Sequence, residues 1–121
     1  MSKKTVVFDF DGVIHNYTGE WEGVDVISGS LVPGIDRALK AIHDAGYEVV
    51  VVSTRCAVME GLDALKAWFR KYEIYAYIDH VSPTKPPAIV YIDDRAIRFD
   101  GNPDGLLEQI NGFHPWWEET P

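Results

Sequence analysis

Apolar and polar positions along the chain follow two rhythms. Residues 4–14, Lys-Thr-Val-Val-Phe-Asp-Phe-Asp-Gly-Val-Ile, open with an unbroken run of β-branched and aromatic side chains, which predicts a strand buried on both faces. Residues 47–53, Tyr-Glu-Val-Val-Val-Val-Ser, predict a second central strand, and 76–81 and 88–92 a third and a fourth. Between the strands the period changes. Apolar residues at 35, 38, 39, 42 and 45 predict an amphipathic helix, with Pro33 near its first turn and Gly46 as its stop. Leu62, Leu65, Trp68 and Phe69 give a second helix, over 58–72, one apolar stripe. Asn102-Pro103 reads as the N-cap and first position of a last helix that runs through Ile110 and stops at Gly112. Residues 97–99 are read as a short fifth strand.

Two stretches carry no period. Residues 15–31, rich in Gly, Asn, Ser and Trp, predict a long loop with one short hairpin, and loops of this length often carry function. Residues 82–87 hold Pro83, Pro86 and Pro87, which remove backbone donors and fix φ, so regular structure is excluded there. The tail, 113–121, contains the adjacent Trp116 and Trp117, which need a surface to cover. Strands alternating with helices predict an α/β fold: a doubly wound, three-layer parallel sheet of Rossmann-like type with right-handed crossovers, in one domain.

Composition narrows this little. A chain of 121 residues with 46% hydrophobic and 25% charged residues suits one ordinary globular domain with a core of its own. No apolar run is long enough to cross a bilayer, and the apolar stretch behind Met-Ser-Lys-Lys ends in two aspartates, which no secretory signal carries. A single cysteine, Cys56, excludes an internal disulfide. The expectation is a cytoplasmic protein with no membrane partner. Charge excludes more: the formal net charge of −8, from 19 acidic and 11 basic residues, argues against a protein that coats duplex nucleic acid. It leaves open local capture of a nucleic-acid end.

Candidate chemistry sits at the strand ends. The first strand stops at Asp9-Phe10-Asp11-Gly12, the second at Ser53-Thr54-Arg55 and the fourth at Asp93-Asp94-Arg95. Open α/β sheets bind ligands at the carboxyl ends of their strands. Adjacent carboxylates at the end of a hydrophobic strand are costly unless a cation neutralises them, and oxygen donors select Mg²⁺. Taken singly, each motif has a plain structural meaning: an acidic turn, a helix N-cap, a surface lysine. Independent turns would not all fall on one edge in the order Asp-x-Asp, Ser, Lys, Asp-Asp.

That ordered set resembles the haloacid dehalogenase superfamily of phosphohydrolases. Phe8-Asp9-Phe10-Asp11-Gly12-Val13 is similar to the family's first motif, residues 49–53 to its second, Lys85 to its third and Tyr91-Ile92-Asp93-Asp94 to its fourth. Residues 85–97 further resemble small phage and bacterial members. The resemblance implies an Mg²⁺-dependent phosphatase acting through an aspartyl-phosphate. Asp9 would be the nucleophile and Asp11 the acid and base; Ser53, or Thr54 if the strand ends one residue later, and Lys85 would hold the phosphoryl oxygens. Asp9, Asp93 and Asp94 would bind the metal with Asp11, the last through its backbone carbonyl. Residue chemistry agrees with these roles, because a dianion must share a cation with its attacker and a positioned carboxyl can protonate the leaving oxygen. Arg55 and Arg95 are read as solvated, and His15 and Cys56 as unconnected to the chemistry.

The spacings between motifs leave no room for a cap domain, so the expected site is open, roofed at most by residues 15–31 and the tail. An open site suits a nucleotide or a nucleic-acid end as substrate, with Tyr17, Trp21, Trp116 and Trp117 as stacking candidates. The alternatives are a small-molecule phosphatase of low selectivity, a phosphoacceptor signalling domain and a catalytically silent binding domain.

Overall fold

The computed structural model describes residues 3–118. The fold is α/β: a four-stranded, all-parallel sheet with three α-helices among the described residues. Strands β1 (Thr5–Asp9), β2 (Glu48–Val52), β3 (His80–Ser82) and β4 (Val90–Ile92) lie in the order β3-β2-β1-β4. Register fixes the chemistry of the sheet's edge. Phe8 pairs with Ile92 and Asp9 with Val52, so Asp9 and Asp93, each one residue beyond the Phe8–Ile92 pair, arrive at neighbouring places and Ser53 follows on the other side.

Alternation divides the strand residues between the two faces. Val6, Phe8, Val49 and Val51 join one apolar cluster with Leu39, Leu65, Trp68 and Phe69. Those four come from helices α1 (Ile35–Asp44) and α2 (Met59–Lys71), which therefore pack over the same face. Val7, Val50 and Val52 form a second cluster with Ala88, from the connection entering β4. Phe10, fully buried between the two motif aspartates, meets Trp68 edge-on with ring centroids 5.1 Å apart. This ring anchors the turn from below while its neighbours face the site.

Three expected elements differ from what forms. The third strand is confined to His80–Ser82, because Tyr75–Tyr77 close a 3-10 turn that buries Ile74 under the sheet. No strand forms over 97–99 among the described residues. The last helix, α3, spans Leu106–Gly112 and begins after Gly105, at φ +86°. Asn102 instead caps a local turn, its side-chain oxygen accepting from the Asp104 N–H at 3.0 Å. Residues 15–31 are an irregular loop pinned at its base, where the Asn16 N–H donates to Ser30 and the Val32 N–H to Ile14. No helix of the described residues is long and apolar enough to cross a membrane.

Candidate active site

The turn after β1 builds the centre. Val13, Ile14 and His15 all donate their backbone N–H groups to the Phe10 carbonyl, and Gly12 takes φ +88°. A Cβ on Gly12 would lie 2.1 Å from Asp94 Oδ2, so close approach as well as backbone angle requires glycine there. The resulting cavity, about 250 Å³, is lined by Asp9, Asp11, Ser53, Thr54, Asp94 and Arg95, with Tyr17 and Trp21 at its rim.

Asp9, Asp93 and Asp94 each offer a carboxylate oxygen, all within 4.8 Å of one another. Their mutual repulsion is only partly relieved. Burial, a hydrogen bond with Asp94 and the charges of Asp93 and Asp94 push the Asp9 carboxyl up to about 8. Asp93 is matched on both oxygens, by Lys85 Nζ at 2.9 Å and the Arg95 backbone N–H at 2.8 Å. Although burial opposes it, this pairing holds Asp93 below the usual carboxylate range. Asp94 accepts the Trp117 indole N–H on Oδ2, while its buried Oδ1 has no partner. A hard divalent cation fits this set: oxygen donors only, one buried oxygen unmatched, and one carboxyl that ionises with difficulty in the cation's absence. Of the two adjacent aspartates, Asp94 is the one that keeps an unmatched oxygen.

Asp11 stands apart from this trio. Its carboxylate accepts Arg55 Nε and Nη2, both at 3.1 Å, and His15 Nδ1 at 2.8 Å. Burial would raise its pKa, but these hydrogen bonds and the Arg55 charge prevail and keep it low. The tautomer of His15 follows from its other nitrogen. Nε2 accepts the Gly29 backbone N–H at 3.0 Å, so Nδ1 carries the proton and donates to Asp11.

Arg55 corrects the expectation of a solvated arginine. It is 1% exposed, and its Nη1 donates to the carbonyls of Gly23, Val24 and Val26 at 2.9–3.0 Å. One guanidinium thus ties the loop to Asp11, stacked under Trp21 with 4.4 Å from Cζ to the ring centroid. His15, expected to be unconnected, is likewise buried and bonded to Asp11. Both were legible in principle: a loop of 17 residues without ladder bonds must find donors for its carbonyls, and Arg55 follows Ser53 on the same sheet edge. Cys56 is half-buried, and burial raises its thiol pKa, which suits the inert reading.

The remaining expected residues gather here too. Ser53 is buried, its Oγ accepting the Arg55 N–H at 3.2 Å while the hydroxyl proton stays available for donation. Thr54 lies exposed on the cavity wall, and Lys85 is brought to the acidic trio through Asp93. Arg95 is exposed, its Cζ 5.3 Å from the Trp117 ring centroid. The chain matches no family model, no curated protein and no solved structure.

Proposed function

We propose that this chain is a Mg²⁺-dependent phosphomonoester hydrolase, a small capless member of the haloacid dehalogenase type with a Rossmann-like, doubly wound sheet. The observation that carries the reading is the convergence of Asp9, Asp93 and Asp94 on one point, beside Ser53 and Lys85, at the carboxyl edge of a parallel sheet. The strand order supports the winding. It reverses at β1, with β2 on one side and β4 on the other, and such a switch point opens a crevice for a ligand.

Asp9, Asp94 and Asp93 would hold Mg²⁺, with the Asp11 backbone carbonyl as the further ligand the family resemblance implies. The bound ion would supply charge neutralisation for the phosphoryl oxygens and the attacking carboxylate. Asp9 would attack phosphorus as the bond from phosphorus to the leaving oxygen breaks, forming an aspartyl-phosphate, and the leaving oxygen would take its proton from protonated Asp11 or from water. Ser53 Oγ, which has a proton to donate, and Lys85 Nζ bind the transferring oxygens, and Thr54 extends that wall. Asp11, kept ionised by Arg55 and His15, takes the proton of the attacking water in the second step. In the first step it serves as an acid only when protonated, so leaving groups that need no proton depart faster. Tyr17 and Trp21 at the rim favour an aromatic group on the substrate, such as the base of a nucleotide or of a nucleic-acid end.

The test is a phosphatase assay with Mg²⁺ over aryl phosphate, mononucleotides, sugar phosphates and oligonucleotides phosphorylated at the 3′ or 5′ end. Multiple turnover is expected, abolished by EDTA and by Asp9→Asn with the fold intact. Unchanged turnover in Asp9→Asn, or in chelator, would overturn the mechanism. Equal or better kcat/KM on sugar phosphates would replace the nucleotide reading with a small-molecule phosphatase of low selectivity. A stable phospho-form on Asp93 or Asp94 without turnover would replace the enzyme with a signalling domain.

A further inference from the structure

The C-terminal tail reaches the carboxylates. After α3 the chain turns at Pro115, which is buried, with the Glu118 N–H closing the turn on the Pro115 carbonyl at 3.1 Å. Trp116 Nε1 then donates to the Gly12 carbonyl at 2.6 Å, and Trp117 Nε1 to Asp94 Oδ2. Trp117 is held on three sides. Tyr17 meets it edge-on at 5.1 Å between centroids, Arg95 lies over its ring, and a Cβ on Gly19 would stand 2.8 Å from its six-membered ring. An indole that merely covered apolar surface would not point its one N–H at a carboxylate of the acidic trio.

The consequence lies in the other oxygen of that carboxylate. A carboxylate whose Oδ2 is fixed by a donor cannot rotate freely, and its buried Oδ1 is left without a partner on a side chain that lies beside Asp9 and Asp93. Partners behind a ligand that fix its orientation typically change metal affinity by about ten- to a hundredfold.

We infer that Trp117 is a positioning residue of the metal centre: its indole N–H orients Asp94 for a divalent cation, and Trp116 latches the tail to Gly12. This rests on the reading of Asp9, Asp93 and Asp94 as a cation site. It makes Trp116 and Trp117, about a hundred residues from the first motif, part of the site.

The experiment is a calorimetric titration of Mg²⁺ into wild type, Trp117→Phe and Trp116→Phe, each first checked in EDTA for its unfolding temperature. Phe keeps an aromatic ring for Tyr17 and Arg95 to meet but loses the N–H, together with the fused five-membered ring that carries it. Trp117→Phe is expected to fold in EDTA and to bind Mg²⁺ about tenfold or more weakly. Trp116→Phe, which touches no carboxylate of the trio, is expected to lose less. Mg²⁺ affinity in Trp117→Phe equal to or above the wild type overturns the positioning role and leaves the cation site standing. No Mg²⁺ binding by the wild type overturns the cation site and this inference with it. Should Trp117→Phe fail to fold, Trp117→Gln, which restores a donor without the ring, is titrated instead; affinity below wild type by tenfold or more there overturns the hydrogen bond as the cause.

Discussion

Arg55 shows how much one buried side chain can join. Its Nε and Nη2 donate to the two oxygens of Asp11 and its Nη1 is shared among three loop carbonyls, all with the residue 1% exposed. Arg55→Ala would leave the Asp11 charge supported by His15 alone and strand three carbonyls away from water. Removing one partner of a buried pair costs about 3–5 kcal/mol, so urea unfolding should show a loss of that order; a loss below about 1 kcal/mol would mean that water replaces the guanidinium. Arg55→Lys keeps the charge but not the fork, and a point charge cannot serve Asp11 and the loop together. It should recover part of the stability and little of the turnover. The sequence placed Asp9, Asp11, Ser53, Asp93 and Asp94 on one edge because their motifs lie at strand ends, and Lys85 with them only through the order of the motifs, since it sits in the Pro-rich connection. It misjudged Arg55 because its partner Asp11 lies 44 residues away; His15 is only four residues from Asp11, and what the local sequence hides is the Gly29 N–H, 14 residues on, that fixes its tautomer.

Elements were legible where the period is strong. β1, β2, α1 and α2 form within a residue or two of their expected bounds, since long apolar runs and a single stripe admit few alternatives. Short segments failed. Tyr75–Tyr77 have strand-forming composition, yet Ile74 is pulled beneath the sheet and the backbone closes a 3-10 turn. Packing overrode propensity there. The same conflict can be tested inside α2. Gly61 is the third residue of α2, where alanine would gain at most about 1 kcal/mol of helix propensity. A Cβ at 61 would stand 2.0 Å from the Arg55 carbonyl oxygen, however, and 2.8 Å from its carbonyl carbon. Backbone has to move, and overpacking of this kind costs about 1–3 kcal/mol. Gly61→Ala should therefore lower the unfolding temperature and also disturb Arg55 and Asp11. Gly112→Ala is the control: it lies at the end of α3 with open space around its Cβ position, and should be neutral or slightly stabilising. Stabilisation by Gly61→Ala would show that α2 can shift away from Arg55 without loss.

Across the whole molecule the acidic trio sets the balance between folding and pH. The chain carries a net charge of −8 and gathers three carboxylates within 4.8 Å at the switch of the sheet. Without a cation, Asp9 keeps its proton up to about 8 in the folded protein, against an ordinary value of 3.8. A carboxyl raised on folding contributes stability that is fully present below its unfolded pKa and is lost as pH rises through the folded one. For Asp9 that loss runs from about pH 4 to about pH 8. Asp11 and Asp93, both lowered, act in the opposite sense: their contribution is present above 3.8 and fades only as pH falls below it. Between about pH 5.5 and pH 8 the Asp9 effect therefore stands alone among these groups. On the proposed reading, binding of Mg²⁺ at the trio would require Asp9 deprotonated, so the ion would stabilise most where the metal-free protein is weakest. The rise in unfolding temperature on adding millimolar Mg²⁺ should be larger near pH 8 than near pH 5.5. Titration at intermediate pH should release a proton, seen as a binding enthalpy that varies with the ionisation heat of the buffer. Asp9→Asn, which has no proton to lose, should show neither the pH dependence nor the proton release. A Mg²⁺-induced rise independent of pH in the wild type would place the ion elsewhere on this acidic surface, away from Asp9.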